Sequence, residues 1–344
     1  MSYVEPGAGR ETRGAGAGRI LTAPYGEEEP VSVISSEGGE PHHEVAHAAD
    51  SQRQDQTRTA FGYKWSRRDT YDTPAMAAFT RQWLLDKYCE GDAQRLEAWL
   101  GDAGSVILDA GCGAGHSATA LFGELLGKHR YIGVDISDAV EVARQRFAEL
   151  GYSGEFIQAN LFDMPIEEGS VDLAFSEGVL HHTDDTGAAL AAVAAKLTRG
   201  GRFLFYVYAR KAPIREFVDD LIRDHLRPMS DEEAWEALKP LTKLGIAIGE
   251  LGVELDVPED VPILGIKAGK VDLQRFFYYT LLKAYYRPEF AFDEMHHINF
   301  DWYRPLNCHR HTEEEVRDFC RSADLTIERL HAEPSGYAVV AVRN

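Results

Sequence analysis

Ten residues, Ile107-Leu108-Asp109-Ala110-Gly111-Cys112-Gly113-Ala114-Gly115-His116, constrain this chain more than any others. An apolar run (Val106, Ile107, Leu108) ends in a carboxylate, three glycines follow at alternate positions, and a helical pattern begins at Ser117. The order is therefore strand, tight turn, helix. Alternating glycines let the backbone turn sharply through positive φ and let a ligand approach with no Cβ in the way. One such loop is shared by many βα turns, so the neighbouring segments must supply the context.

The dinucleotide fingerprint G-x-G-x-x-G occurs in the same setting. Counted from Gly111 and Gly113, it requires glycine at the position of His116, whereas Gly115 comes one residue early. The spacing here is D-x-G-x-G-x-G. A second apolar strand, Tyr131-Ile132-Gly133-Val134, ends in Asp135, where a carboxylate can accept both hydroxyls of a ribose. A third strand, Phe156 to Ala159, leads into Asn160-Leu161 and Met164-Pro165-Ile166. Then come the run from Val171 to His182 and the turn Leu197-Thr198-Arg199-Gly200-Gly201-Arg202.

In this order these segments resemble the motifs of the class I S-adenosylmethionine-dependent methyltransferases, over roughly Ser105 to Tyr208, with the core pattern returning after Thr312. The resemblance implies S-adenosyl-L-methionine as cofactor, a donor without a diphosphate. It carries cofactor contacts onto Asp109, Gly111, Gly113, Gly115, Asp135, Ile136, Asn160, Leu161 and Ser176. Asn160 stands where the family usually has aspartate; its amide oxygen can still accept from the adenine amino group, with Asp163 in reserve. The implied fold is α/β: a Rossmann-like seven-stranded sheet ordered 3-2-1-4-5-7-6, the last strand antiparallel, with a helical cap inserted after strand five.

Strands alternating with helices predict right-handed parallel crossovers, and buried parallel strands should be near-continuous apolar runs. The turn Pro334-Ser335-Gly336 between two terminal strands demands antiparallel pairing. The expected divisions are a disordered tail over 1–57, an arm with helices over 58–104, the core over 105–208 and 307–344, and a cap over 209–306. The tail reading rests on its Gly, Glu and small residues, with Tyr3 and Tyr25 its only aromatics; His42, His43 and His47 are read as solvated. Helices are expected over Pro74–Cys89, from Asp92 to Leu100, after Pro213, after the capping boxes Ser230-x-x-Glu233 and Thr312-x-x-Glu315, and after Asp272. Leu273, Phe276, Phe277, Leu281 and Ala284 form the expected packing stripe of the last of these cap helices.

With 56 acidic and 36 basic residues the 344-residue chain carries a net charge of −20, unfavourable for approaching a phosphate backbone. Nucleic acid is therefore not expected as a partner; a small-molecule acceptor is. Cys89, Cys112, Cys308 and Cys320 stand singly, as reduced thiols of a cytoplasmic protein would. No run approaches about 18 apolar residues and no apolar leader is seen, so no membrane partner is expected. The oligomeric state is not legible.

Methyl transfer from a sulfonium needs alignment above all, and a general base adds to it only where the acceptor must lose a proton. Glu177, His181 and His182 follow strand four and are base candidates, although the histidine pair reads more readily as rings bonded to backbone beneath the cofactor. The cluster Asp301 to His311 offers His309 as a base and Tyr303 and His309 as acceptor contacts, or else ties the cap to the core. Phe61-Gly62-Tyr63-Lys64-Trp65 either anchors the arm or closes over the site with Tyr63 and Trp65. His296 and His297 beside Asp293 and Glu294 lack further ligands at fixed spacing, so no metal is expected. Two other classes stay open: a noncatalytic S-adenosylmethionine-binding protein and a nicotinamide-dependent oxidoreductase.

Overall fold

The computed structural model describes residues 42–67 and 73–344, and from His43 onward they form one compact unit. The elements run α1 (His42–Trp65), α2 (Pro74–Cys89), α3 (Gln94–Leu100), β1 (Val106–Ala110), α4 (His116–Phe122), β2 (Arg130–Asp135), α5 (Ala139–Glu149), β3 (Glu155–Gln158), β4 (Val171–Glu177), α6 (Thr186–Ala194) and β5 (Leu197–Tyr208). After β5 come α7 (Pro213–Leu226), α8 (Asp231–Glu250), β6 (Glu254–Val257), β7 (Gly269–Asp272), α9 (Leu273–Thr280) and α10 (Phe292–Tyr303). The chain closes with α11 (Glu313–Ser322), β8 (Leu325–Ala332) and β9 (Gly336–Arg343).

Seven strands form one sheet in the order β3-β2-β1-β4-β5-β9-β8. The first five are parallel, whereas β9 runs antiparallel to both β5 and β8. With the insertion's own two strands set aside, this is the expected 3-2-1-4-5-7-6. Both faces are covered: Ile107 and Phe175 point to the layer of α2 and α4, while Leu108 and Ala174 point to that of α6 and α11. Phe175 is fully buried between the edges of Tyr88 and Phe122, at 5.9 and 5.6 Å. Truncating such a side chain costs about 3–5 kcal/mol.

The local signals act as expected at most helix starts. The Thr73 hydroxyl accepts from the Met76 amide, Asp92 accepts from the Gln94 amide, and both capping boxes close reciprocally.

Four expectations need correction. Residues 42–57 are not a tail: α1 begins at His42, and Gln54, Thr57 and Ala60 are buried. Its helix is stabilised by docking rather than by composition, with the Thr57 hydroxyl accepting from the Asn307 amide at 3.2 Å and the Gln56 amide oxygen from the Leu306 amide at 2.9 Å. Residues 1–41, and the side chains of His42, His43 and His47, lie outside those described. The insertion is not purely helical, since β6 and β7 pair antiparallel, and α10 carries the polar stretch Phe292–Tyr303. In α9 the buried residues are Gln274 and Thr280, while Leu273, Phe276 and Phe277 are half-buried. The expected turn at Gly200-Gly201 lies within β5, whose pairing with β4 shifts register between Val171 and Leu173.

Candidate active site

The glycine loop occupies the carboxyl end of β1. The amides of Gly111 and Cys112 both donate to the Val134 carbonyl, at 2.7 and 2.9 Å, which bends the chain across the end of β2. All three glycines have positive φ, +91°, +49° and +73°. A Cβ at Gly111 would overlap Val179, and one at Gly113 would stand 2.8 Å from the Trp65 indole nitrogen. Only glycine permits this close approach.

Asp135 ends β2 beside that loop. One carboxylate oxygen accepts from the Ser137 amide and hydroxyl at 2.8 and 2.7 Å, and the other from the Gly113 amide at 2.9 Å. These donors fix the carboxylate while leaving lone pairs for a ligand. Burial nevertheless pushes its pKa up, with the Ser137 and Gly113 hydrogen bonds opposing. Asp109, at the end of β1, accepts from the Tyr131 hydroxyl at 2.7 Å and is pushed by burial to about 7.

A cavity of about 730 Å³ runs from these groups along the carboxyl edge of the sheet to the insertion. At the glycine-loop end it is lined by Asp109, Gly111, Gly113, Asp135, Ile136, Asn160 and Leu161. Gly115 acts one step back, as the left-handed residue before α4, where a Cβ would press on Phe147. Ser176 belongs elsewhere: it is fully buried and its hydroxyl donates to the Ala110 carbonyl at 2.8 Å, tying β4 to β1. The Asn160 amide oxygen already accepts from the Phe162 amide at 3.1 Å, so it caps the following turn.

At the middle of the cavity, Glu177 ends β4. Its carboxylate takes the Lys87 ammonium at 2.8 Å and the Tyr88 hydroxyl at 2.5 Å. Lys87 is buried between the rings of Trp83 and Tyr206, 3.3 and 3.4 Å from their centroids, and burial pulls its pKa down. Neither Lys87 nor Tyr88 was singled out from the sequence, because α2 shows them only as polar positions on an amphipathic helix. Of the histidine pair, His182 reaches the cavity and His181 does not. His181 is fully buried behind it, 3.7 Å from the Tyr208 ring, so it cannot touch a substrate. The His182 Nδ1 lies 2.6 Å from the Asn307 carbonyl, and burial lowers its pKa to about 4, leaving a neutral ring.

The three candidate segments, Phe61 to Trp65, the residues at the end of β4 and Asp301 to His311, each reach this cavity, but not through all of the side chains singled out. From the arm, Phe61, Lys64 and Trp65 line the cavity. Tyr63 does not; its hydroxyl accepts from Arg67 at 2.6 Å and its ring packs on Trp235 and Phe300. From the cluster at 301–311, Asp301 and Trp302 line it. Tyr303 is buried, donating to Asp219 at 2.9 Å. His309 is spent on the Thr183 carbonyl at 3.0 Å, Arg304 on Asp231 at 2.6 Å, and Arg310 on Glu216 and Asp220. That stretch ties insertion to core. His296 is bonded to Thr242 and to the Trp235 carbonyl, at 2.8 and 3.0 Å. Among the described residues, no group of three or more His, Cys, Asp or Glu side chains is placed to hold a metal ion.

A parallel sheet closed by an antiparallel strand, a glycine cradle that a Cβ would fill, and a fixed carboxylate at the end of β2 together define a class I S-adenosylmethionine-dependent methyltransferase domain. Residues 108–205 match the family model described as a methyltransferase domain. S-adenosylmethionine is the cofactor of that class. The chain is similar to an uncharacterized protein of Synechococcus sp., 38% identical over 115 residues, which are 32% of this chain and 27% of that protein. It is likewise similar to the uncharacterized methyltransferase YcgJ of Bacillus subtilis, 36% identical over 140 residues, 38% of this chain and 54% of that one. The chain thus spans between about a quarter and about half of the length of these relatives. Among solved structures it resembles magnesium protoporphyrin IX methyltransferase from Synechocystis with bound SAM, at a TM-score of 0.44 and 14% identity, covering 85% of this chain and 97% of that one.

Proposed function

We propose that this chain binds S-adenosylmethionine against Asp109, Gly111, Gly113, Asp135, Ile136 and Leu161, and transfers its methyl group to a small organic acceptor held beneath a cap formed by residues 209–306. The observation that carries this reading is the continuity of one 730 Å³ cavity from the glycine loop, past Glu177, to the insertion. Open α/β sheets bind ligands at this carboxyl edge. The bound cofactor supplies a methyl group already activated on a sulfonium sulfur.

The protein's part is to bind and align. Asp135, pinned by Ser137 and Gly113, would accept the ribose hydroxyls. Glu177, immobilised by Lys87 and Tyr88, is a positioning group at the middle of the cavity rather than a free base. The neutral His182 ring and Trp65 line the same cavity. A cytoplasmic setting belongs to this reading, supported by four cysteines that are free, buried thiols. No helix among the described residues is long and apolar enough to cross a membrane. Nucleic acid as acceptor is disfavoured by the net charge of −20.

The test is incubation of the protein with methyl-labelled cofactor and a small-molecule extract. Label recovered in a low-molecular-mass product supports methyl transfer. Cofactor binding without transfer supports a noncatalytic binding protein instead, and preferential stabilisation by a nicotinamide dinucleotide would return the oxidoreductase reading.

A further inference from the structure

The far end of the cavity carries a charge imbalance that the cofactor does not use. Lys211 lies three residues beyond the end of β5, and Lys283 lies just after α9; both line the cavity. Lys283 is buried, 6% exposed, and its ammonium has no hydrogen-bond or ion-pair partner among the described residues. It stands 4.9 Å from the centroid of the Trp302 ring, and the Lys211 ammonium stands 5.3 Å from the same ring. Lys211 donates to the carbonyls of Pro334 and Ser335, at 3.0 and 2.5 Å, and so meets neutral acceptors alone.

The carboxylates that could neutralise these two ammoniums are engaged elsewhere. Asp219 takes Arg215 at 2.6 Å, the Trp302 indole at 2.8 Å and the Tyr303 hydroxyl at 2.9 Å. Asp301 takes Lys64 at 2.8 Å. Glu216 accepts from the Lys211 amide, not its ammonium, and pairs with Arg310 at 2.8 Å. Glu333, on the facing turn, is held by His331 and Ser335. Arg275 and Arg287 add further positive charge to the lining. Lys283 is thus buried and Lys211 half-buried, both lining the cavity without a carboxylate partner, an arrangement that costs free energy unless a ligand supplies the counter-charge. Burial lowers both pKa values to about 7, which an arriving anion would raise again.

We infer that the acceptor is an anion: a small, largely aromatic or apolar molecule whose compact carboxylate or phosphate-type group is held by the ammoniums of Lys283 and Lys211, both of which line the cavity. This rests on the methyl-transfer reading, which makes the space beneath the cap the acceptor's. The body of the molecule would lie against Tyr206, Tyr208 and Tyr278, which line the same space. The geometry selects against cationic acceptors, which would meet a like charge.

The full chain saturated with S-adenosylhomocysteine is titrated by calorimetry with benzoate, phenyl phosphate and neutral benzamide, in wild type, Lys283→Gln and Lys211→Gln. At least one anion should bind wild type at least tenfold more tightly than benzamide, and which of them does distinguishes carboxylate from phosphate recognition. Each substitution should weaken that anion at least tenfold while changing the affinity for S-adenosylhomocysteine less than twofold. Benzamide binding as tightly as the anions, neither anion binding the loaded protein, or anion affinity unchanged in both variants overturns the inference. Failure of S-adenosylhomocysteine to bind wild type would instead overturn the methyltransferase reading, and the same titrations without it then show whether the anion site stands alone.

Discussion

Asp109→Asn should raise stability in a way that depends on pH. The carboxyl is 2% exposed, with the Tyr131 hydroxyl as its hydrogen-bond donor, and burial lifts its pKa from 3.8 to about 7. Between those values the unfolded chain is ionised at this residue while the folded protein retains a proton, so stability falls as pH rises. The contribution is fully present below 3.8 and lost as pH passes through about 7. At about 1.4 kcal/mol per pH unit, the gap of 3.2 (7 − 3.8) amounts to about 4 kcal/mol. Asparagine keeps the shape and can still accept from Tyr131, but carries no charge to bury. The stability difference between variant and wild type should be near zero at pH 4, grow steadily, and reach about 4 kcal/mol at pH 8. Urea unfolding followed by circular dichroism at four pH values measures it, and the difference cancels every other titrating group. A difference that does not change with pH, or a variant less stable at pH 8, would refute the claim that Asp109 is a destabilised acid. Cofactor affinity should move the other way, because a carboxylate is lost beside a cationic ligand.

Asp135→Ala should weaken S-adenosylhomocysteine binding by about 3 kcal/mol, roughly a hundredfold, since two hydroxyls lose a charged acceptor and the Gly113 amide is released; unchanged affinity by calorimetry would end the ribose assignment. Gly113→Val should abolish binding and displace the Trp65 indole, which a Cβ would meet at 2.8 Å, visible as a change in tryptophan fluorescence with the helical circular dichroism retained. Lys87→Met leaves the Glu177 carboxylate without its buried cation and should cost about 3–5 kcal/mol, with most of it recovered in the Lys87→Met, Glu177→Gln double variant. Tyr63→Phe and His309→Gln should leave turnover within about twofold of wild type, because neither side chain lines the cavity; a tenfold loss in either would show that the cavity rearranges in use.

The cofactor half of the site is legible in sequence because its determinants are local. β1, β2 and β4 are buried parallel strands, largely apolar, that end at the cavity. Asp109, the glycines and Asp135 fall at those ends by counting alone. Ser176, penultimate in β4 as Asp109 is in β1, differs because its hydroxyl is spent on the Ala110 carbonyl and does not line the cavity, which counting along the strand cannot reveal. His181 and His182 show the limit again, since adjacent residues in a short helical turn face different ways and only one reaches the cavity. The acceptor half depends on tertiary docking. α10 buries Glu294, His296, His297 and Asn299, polar residues that no apolar stripe marks, and α1 is helical because Thr57 and Gln56 bond the chain near Asn307. Lys211 and Lys283 come from the two ends of the insertion and carry no motif.

Charge acts on two scales in this molecule. The net charge of −20 repels an extended polyanion, whose many phosphates would all face the surface at once. Salt screens that repulsion beyond about 8–10 Å, and a compact anion with one or two charges meets far less of what remains than a polyanion does. Inside, the half-buried Lys211 and the buried Lys283 stand 5.3 and 4.9 Å from the centre of the Trp302 ring and bring positive charge to the cavity wall. An acidic surface around a cationic interior therefore discriminates by size: it admits a small anion and turns away a nucleic acid bearing the same chemical group. On the methyl-transfer reading, that is a reason for the cap to supply its own lysines rather than rely on the charge of the chain as a whole.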